Sequence, residues 1–230
     1  MSCPVALQRV RADVLTCARC PRLVAHRRGV GTGGRADRPV PGFGDPLAGI
    51  HVLGMATAAR GNPHGRPFTG NRSASFLTAG LHRAGLANSP TSESADDGLA
   101  LYGVWTSSAV RCPPPSHRPT ATERDTCATH LRAEWAALPR LRVVLALGAL
   151  AWTAALAAAP DTGRVRFAHG REHLLLPGLV LLGSYHPSPQ NTHTGVLTPT
   201  MLDTVLDRAR SLGGGRARRA ATTEPEEISP

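Results

Sequence analysis

The stretch from residue 142 to residue 159 decides the fold class. It reads Arg-Val-Val-Leu-Ala-Leu-Gly-Ala-Leu-Ala-Trp-Thr-Ala-Ala-Leu-Ala-Ala-Ala. Its first part is short and nearly continuously apolar, which is typical of a strand that is covered on both faces. Gly148 interrupts the run, and the Ala- and Leu-rich residues after it predict a helix. We therefore assign a strand to Arg142–Leu147 and a helix to Ala149–Ala158.

Three more apolar runs repeat this pattern elsewhere in the chain. We predict strands at Gly49–Met55, Val104–Val110 and Leu179–Leu182, and helices at Ser73–Gly85, Thr122–Leu138 and Leu197–Leu212. An interrupted helical region precedes them at Ala6–Arg28. Strands that alternate with helices form a parallel sheet with helices on both sides. The predicted fold class is α/β, a three-layer α/β/α sandwich with a central parallel sheet.

The length of 230 residues suits a single domain of this class. We assign residues 1–212 to that domain and residues 213–230, which are Gly-rich, then Arg-rich, then acidic, to a disordered tail. No apolar run reaches the roughly 18 residues of a membrane span. Residues 1–11 also lack the apolar segment of a secretory signal. These observations predict a cytoplasmic protein without membrane segments.

The charge of the chain indicates what it binds. All 26 basic residues are Arg, and they outnumber the 16 acidic residues to give a formal net charge of +10. A GC-rich genome would explain the use of Arg in place of Lys, but it would not explain the excess of basic residues. A strongly basic chain favours a polyanionic partner, and nucleic acid is the first candidate.

The five cysteines predict a metal site. Cys17 and Cys20 form a C-x-x-C pair, Cys112 follows the second predicted strand, and Cys127 lies in the next helix. Two ligands on a tight turn and two that bracket a loop can meet at one tetrahedral site, and thiolates suit zinc or an iron–sulfur cluster. The spacing leaves both metals open, and buried apolar cysteines are the alternative. Cys3 is left over and is predicted to be free.

Polar and basic residues gather after the predicted strands, where α/β folds place their functional sites. The first such segment is Gly54–Asn71, in which Arg60 and Arg66 add positive charge. Phe68 stands there among Gly, Pro and Arg residues. It is either a hydrophobic plug or a stacking face for a base.

The second and third segments are Arg111–Thr120 and Ser184–Gly195. In the second, four prolines give a rigid frame from which His117 and Arg118 project. In the third, His186 directly follows an apolar strand, which favours a held catalytic or binding imidazole over a satisfied loop residue. Its neighbours suit phosphate or groove contacts. They are Ser188, Gln190, Asn191 and Thr192.

Four segments together resemble the uracil-DNA glycosylases, specifically their iron–sulfur type-5 branch. They read C-A-R-C-P-R-L-V at 17–24, G-R-P-F-T-G at 65–70, V-R-C-P-P-P at 110–115, and S-Y-H-P-S-P-Q-N-T-H-T-G-V-L-T at 184–198. The likeness runs from about Cys17 to Leu212. It implies a four-stranded parallel sheet and the excision of uracil or a related deaminated base from a flipped nucleotide, which leaves an abasic site. It also implies a [4Fe–4S] cluster on Cys17, Cys20, Cys112 and Cys127.

The resemblance also implies roles for single residues. Phe68 stacks on the flipped base, with Ala56, Thr57 and His117 in the same pocket. His186 lies near the uracil oxygen where negative charge develops, and Asn71 is the candidate for orienting water. We expect a monomer that acts on duplex DNA, although single-stranded DNA is also open. The resemblance further implies a set of residues that contact the DNA. They are Arg60, Arg66, Arg118, Ser188, Gln190, Asn191 and Thr192.

Three residues depart from the family pattern in the pocket segments. Thr57 replaces a proline, Asn71 replaces an aspartate, and His117 replaces an asparagine. Asn71 cannot accept a proton, although its carbonyl oxygen can still position water. These departures predict a slower enzyme or an altered choice of base. The alternative is a weakened or inactive paralogue that binds damaged DNA.

Overall fold

The computed structural model describes residues 3–30, 37–58, 65–159, 163 and 165–214. Six strands form one sheet in the order β1-β3-β2-β4-β6-β5. The strands are β1 (Phe43–Gly44), β2 (Ile50–Ala56), β3 (Val104–Val110), β4 (Val143–Leu147), β5 (Glu172–Leu176) and β6 (Leu179–Ser184). The four central strands are parallel, as predicted, and they cover the four apolar runs.

Two antiparallel edge strands correct the prediction of a sheet with four strands. β1 pairs with β3, and β5 pairs with β6. Neither edge strand carries the continuous apolar pattern of the central ones, because an edge strand is not covered on both faces. β1 has two residues, and in β5 the side chain of Leu174 is 64% exposed. Both strands therefore lack the signal that identified the others.

Helices cover both faces of the sheet, which confirms the three-layer α/β/α class. One core lies between the sheet and helices α1, α4 and α5, and the other lies between the sheet and helices α3 and α7. The helices are α1 (Cys3–Leu15), α2 (Pro21–Val30), α3 (Arg72–Arg83), α4 (Ala121–Ala137), α5 (Ala149–Ala158), α6 (Pro189–His193) and α7 (Pro199–Leu212). Cys17 and Cys20 lie in the break between α1 and α2, as expected for the interrupted region.

Helix α4 begins where the sequence indicates a capping box. The Thr120 hydroxyl accepts a hydrogen bond from Glu123 N at 3.2 Å, and the Glu123 carboxylate accepts one from Thr120 N at 2.8 Å. The same carboxylate accepts two hydrogen bonds from the Arg22 guanidinium, at 2.8 and 2.7 Å. The start of α4 is thereby tied to α2.

The described helices include none that is long and apolar enough to cross a membrane. Residues 215–230 and Arg60 lie outside the described part of the chain. The division into a domain at 1–212 and a tail at 213–230 therefore stays a prediction, as does the role of Arg60.

Candidate active site and cysteine site

The three polar segments meet at one edge of the sheet because they follow parallel strands. β2, β3, β4 and β6 all run in the same direction, so their carboxyl ends lie side by side. This edge carries Phe68, the turn around His117, the start of α5 and the loop that holds His186. It is the candidate active site.

The ring of Phe68 lies against the backbone of β2 at Gly54. A Cβ atom on Gly54 would stand 2.8 Å from Phe68 Cζ, and Ser108 Oγ of β3 would be 3.6 Å away. The ring is half-buried against the core on the α3 and α7 side. Glycine at position 54 is what allows an aromatic ring to cover the end of the strand. The edge of the ring at Cζ and Cε1 therefore lies against the strand, and a phenyl ring held there can offer a stacking surface.

His186 lies against the start of α5. A Cβ atom on Gly148 would stand 3.2 Å from the Cβ of His186, and Gly148 itself has a φ of 89°. Burial lowers the pKa of His186, so the imidazole is neutral at pH 7. Its carbonyl oxygen accepts hydrogen bonds from Ser188 N and from Asn191 Nδ2, both at 2.8 Å. These contacts hold a neutral imidazole at the end of β6.

The polar residues after His186 mostly shape their own loop. Ser188 caps α6, because its hydroxyl accepts a hydrogen bond from Asn191 N at 3.4 Å. The Thr192 hydroxyl donates to the Ser188 carbonyl at 3.2 Å. Gln190 is exposed. Side-chain contacts with DNA stay a prediction for these residues, and Gln190 is the most accessible of them.

The side chain of Asn71 begins helix α3. Its Oδ1 accepts a hydrogen bond from Ala74 N at 3.0 Å, and its Nδ2 donates to the Thr69 carbonyl at 3.2 Å. A carbonyl oxygen has two lone pairs, so Oδ1 can hold a water as well as the helix cap. The predicted catalytic role of Asn71 is therefore compatible with its structural one.

Backbone strain concentrates at the predicted pocket. In the described part of the chain, positive φ occurs outside glycine at Phe68 (51°), Ser116 (51°) and His117 (56°). Such conformations cost on the order of 1–3 kcal/mol each and persist where the surroundings impose them. His117 and Arg118 are exposed at the tip of a single 3-10 turn, Pro115–His117. This turn presents both side chains to a partner, and no described contact brings His117 to Phe68 or His186.

The structure corrects the prediction that Arg66 contacts DNA. Its side chain is 4% exposed, and its guanidinium donates to both carboxylate oxygens of Asp97 at 2.8 and 2.6 Å. It also donates to Ser92 and Thr69 and lies 5.0 Å from the ring centroid of Phe43. These hydrogen bonds account for the low pKa of Asp97. The charge of Arg66 is neutralised inside the protein, so it is not available to a phosphate.

Ala56 and Thr57 are also used within the fold. The amide of Thr57 donates to the Val110 carbonyl at 3.2 Å, and its hydroxyl donates to the Arg111 carbonyl at 3.3 Å. Ala56 packs against the apolar cluster that contains Cys112. Substrate binding by these two residues stays a prediction, and their side chains are engaged elsewhere.

The four predicted metal ligands line one recess. Cys17, Cys20, Cys112 and Cys127 line a recess with a cavity volume of about 20 Å³. Cys112 and Cys127 are buried. Burial in apolar surroundings raises the pKa of the Cys112 thiol to about 11. The tertiary structure therefore brings these four cysteines together and leaves Cys3 outside the recess.

A single metal ion would need the thiols of this recess to lie close together. A lone zinc with bonds of about 2.3 Å needs its sulfur ligands about 3.8 Å apart. Among the described residues, no three His, Cys, Asp or Glu side chains are grouped closely enough to hold one ion. A [4Fe–4S] cluster takes one thiolate on each of four separated irons, so a set of four cysteines is the donor set that it needs.

Two arginines that sequence reasoning missed face the thiols. Arg27 is 6% exposed, and its Nη1 donates to Cys112 Sγ at 3.1 Å. Arg19 Nε donates to Cys17 Sγ at 3.4 Å. Cationic donors stabilise thiolate sulfur, so they suit a negatively charged group in the recess. Arg27 lies in α2, and nothing in the sequence around it indicates that its side chain contacts a cysteine.

The comparisons with known proteins agree with this geometry. The family model of the uracil DNA glycosylase superfamily matches residues 41–210. A type-5 uracil-DNA glycosylase of Mycobacterium tuberculosis is 46% identical over 217 residues, which cover 89% of this chain and 81% of that protein. The chain therefore belongs to the uracil DNA glycosylase superfamily.

Two further relatives show where in the superfamily the similarity is strongest. A type-5 uracil-DNA glycosylase of Thermus thermophilus is 47% identical over 207 residues, 86% of this chain and 94% of that protein. A type-4 uracil-DNA glycosylase of Pyrobaculum aerophilum is 28% identical over 143 residues, 62% of this chain and 60% of that protein. The type-5 relatives confirm the resemblance drawn from the four sequence segments.

Proposed function

We propose that this protein hydrolyses the N-glycosidic bond of uracil, or of a related deaminated base, in DNA and leaves an abasic site. Its relatives with 42–47% identity over most of the chain are named type-5 uracil-DNA glycosylases. The observation that carries the proposal is the candidate site itself. The Phe68 ring, which lies against Gly54, and His186, whose Cβ lies against Gly148, are at the same carboxyl edge of the sheet.

The base must leave the duplex to reach this edge. Flipping costs a few kcal/mol of stacking and pairing, and a stacking surface in the enzyme offsets part of that cost. The Phe68 ring can provide such a surface, because contact of its edge with Gly54 sets its position. A ring that the protein already holds in place loses little conformational entropy when the base stacks on it.

Cleavage transfers the electron pair of the sugar–base bond to the base. The departing uracil becomes an anion, with charge on its carbonyl oxygens, while the sugar becomes an oxocarbenium-like cation. A neutral His186 can donate a hydrogen bond to that developing anion. Loss of one donor of this kind typically lowers the rate by about 10²–10³-fold. Water then attacks the sugar carbon and loses a proton to complete the abasic site.

Asn71 is the candidate for orienting the attacking water. Its Oδ1 can accept a hydrogen bond from water, but an amide cannot take up the proton. A carboxylate in this position could do both, and general-base catalysis typically contributes about 10²–10⁴-fold. The proposal therefore includes a rate lower than that of an enzyme with aspartate here.

The net charge of +10 supports binding to the DNA backbone. Arg118 and Gln190 are exposed at the loops around the candidate site, so they can contact phosphates or a groove. We assign duplex DNA as the substrate, with single strands as a further possibility for the assay. We also expect a monomer in the cytoplasm, where the free cysteines remain reduced.

We propose further that Cys17, Cys20, Cys112 and Cys127 hold a [4Fe–4S] cluster. Such a cluster would join the turn between α1 and α2 to the loop after β3 and to α4. Iron and acid-labile sulfide, measured on anaerobically purified protein, should each approach about four per chain. Zinc in place of iron, or no metal, would contradict this assignment without affecting the assignment of the reaction.

Strand cleavage after alkali tests the proposed reaction. The substrate is a duplex with one uracil, compared with the same duplex carrying thymine, and then with a panel of deaminated bases. We expect breaks at uracil, and their loss in His186→Ala but not in His82→Ala, which changes an exposed histidine of α3. No cleavage of any base over a range of pH would contradict the proposal. Tight binding without turnover would then support the inactive paralogue.

A further inference from the structure

His169 lies behind the loop that carries His186 and contacts it through the backbone. Its Nδ1 accepts a hydrogen bond from the amide of Tyr185 at 3.1 Å, and Tyr185 directly precedes His186. One side chain thus connects the segment before β5 to the end of β6.

The hydrogen bonds define one form of the imidazole. Because Nδ1 accepts an amide proton, that nitrogen is bare, and the ring proton lies on Nε2. A protonated ring would have a proton on both nitrogens and could not accept from Tyr185 N. His169 therefore holds the Tyr185 amide only as the neutral Nε2–H tautomer.

Aromatic packing fixes the positions of the His169 and Tyr185 rings relative to each other. Their rings stack with centroids 4.9 Å apart and an interplanar angle of 22°. Phe167 meets Tyr185 edge to face at 6.0 Å and meets Trp152 of α5 in the same way at 6.1 Å. Trp152 is 1% exposed. These ring contacts therefore extend from His169 to the buried Trp152 of α5, the helix whose start contacts His186.

The segment of His169 is also bound directly to β6. Gly170 N donates to the Gly183 carbonyl at 2.8 Å, and Gly183 N donates to the Arg171 carbonyl at 2.9 Å. A Cβ atom on Gly183 would stand 2.4 Å from the Ala168 carbonyl oxygen, so the two backbones touch. Such a segment has little freedom to move relative to the strand end.

We propose that His169 is a positioning residue for base excision, which fixes the Tyr185 amide and through it holds His186 against Gly148. The inference rests on the proposed function of this site. Removal of the acceptor would leave the Tyr185 amide without its partner, and the strand end would relax to find another. The expected effect is on the chemical step more than on DNA binding, because His169 does not lie on the exposed face.

Three variants separate the hydrogen bond from the packing. His169→Phe keeps a ring that can stack on Tyr185 but has no acceptor. His169→Asn keeps an acceptor, Oδ1, at the place of Nδ1, and loses the ring. His82→Phe is the control, because His82 is an exposed histidine of α3 outside this cluster. Each variant is first checked for native circular dichroism and for its iron content.

Single-turnover cleavage of uracil duplex and binding of abasic duplex give the two readouts. We expect His169→Phe to reduce the cleavage rate by about 10–100-fold, as for the loss of one buried hydrogen bond, with affinity changed less than about threefold. His169→Asn should recover most of the rate, and His82→Phe should equal the parent. A parental rate in His169→Phe, or an equally slow His169→Asn, would overturn the proposal.

Nitrogen-15 spectra of labelled histidine distinguish this inference from the reaction itself. In the parent, His169 should show a bare Nδ1 and a protonated Nε2, and the His186 signals should move in His169→Phe and return in His169→Asn. If the parent protein cleaves no base, the proposed function fails, yet the His186 signals still test the positioning role. Unchanged His186 signals in His169→Phe would refute it.

Discussion

Arg111 and Glu134 form an ion pair in the interior, with 2.6 Å between Nη2 and Oε2 and each side chain 1% exposed. The same oxygen of Glu134 accepts a hydrogen bond from the Ser107 hydroxyl at 2.8 Å, and His51 Nε2 lies 2.7 Å from that hydroxyl. Trp135 Nε1 donates to His51 Nδ1 at 2.9 Å. This network joins β2, β3 and α4 directly beside the cysteine site, since Arg111 precedes Cys112.

The pair predicts a large loss of stability for Glu134→Gln. The variant keeps the size of the side chain and leaves the charge of Arg111 buried without compensation, which should lower the free energy of unfolding by about 3–5 kcal/mol. Glu172→Gln is the control, because its partner Arg208 is 48% exposed and the pair should matter by about 1 kcal/mol or less. Urea unfolding at pH 7 measures both. Equal losses in the two variants would contradict the importance of burial.

His51 predicts a dependence of stability on pH. Burial lowers its pKa from 6.5 to about 4, so the unfolded chain binds a proton at a higher pH than the folded protein does. The contribution is fully present above about pH 6.5 and is lost as the pH falls toward 4. Its upper limit is about 3 kcal/mol, from about 2.5 pKa units at about 1.36 kcal/mol each. Histidine proton spectra should show no titration of His51 above pH 5, and a midpoint near 6.5 would refute the prediction.

Gly54→Ala should damage the reaction more than the fold. The new methyl group would stand 2.8 Å from Phe68 Cζ, so the ring must leave its present position. A misplacement of about 1 Å at a reacting site can lower the rate by about 10²-fold. Gly29→Ala in α2 is the control, since a Cβ there meets nothing within 4 Å. If both variants cleave uracil duplex at the parental rate, the position of Phe68 is unimportant.

Asn71→Asp should accelerate cleavage while preserving helix α3. Aspartate caps a helix as well as asparagine does, and the added carboxylate can accept the proton of the attacking water. We expect a rise of at least about tenfold in the single-turnover rate at pH 7. Asn71→Ala should lose about 1 kcal/mol of stability through the missing cap. A rate unchanged in Asn71→Asp would show that this position does not limit the reaction.

Cys112→Ala should affect stability before chemistry. The variant removes one thiol of the recess and the acceptor of Arg27, so iron should be lost and the melting temperature should fall. Cys3→Ala removes only weak hydrogen bonds from Sγ to the Pro46 and Ala137 carbonyls, and it should retain iron. Iron content, melting temperature and cleavage are measured together. A Cys112→Ala protein that is stable but inactive would contradict a structural role for the site.

Much of the architecture could be predicted from local pattern. The four central strands have continuous apolar runs because both faces are covered, and helix α5 was assigned to its observed bounds, Ala149–Ala158. The capping box at Thr120 is also a local feature, since both partners lie within one helical turn. The edge strands escaped prediction because a strand with an exposed face has a weaker pattern.

The partners of the polar side chains could not be predicted in this way. The family resemblance implied a DNA contact for Arg66, yet this residue pairs with Asp97, 31 residues away in the chain. Arg111 and Glu134 likewise come from a strand end and a helix that the sequence separates. Nothing in the neighbourhood of an arginine shows whether its charge faces solvent or an interior carboxylate.

The sequence alone determined the four central strands, the helices between them and the segments that form the strand-end edge, because each depends on a short pattern of hydrophobicity or spacing. The tertiary structure decided which charges are buried, where the Phe68 and His186 side chains rest, and which histidine holds the loop. Those properties depend on which distant segments the parallel sheet brings side by side. The free energy of each charge and hydrogen bond depends on how deeply it is buried and on what surrounds it, and no local sequence pattern records this.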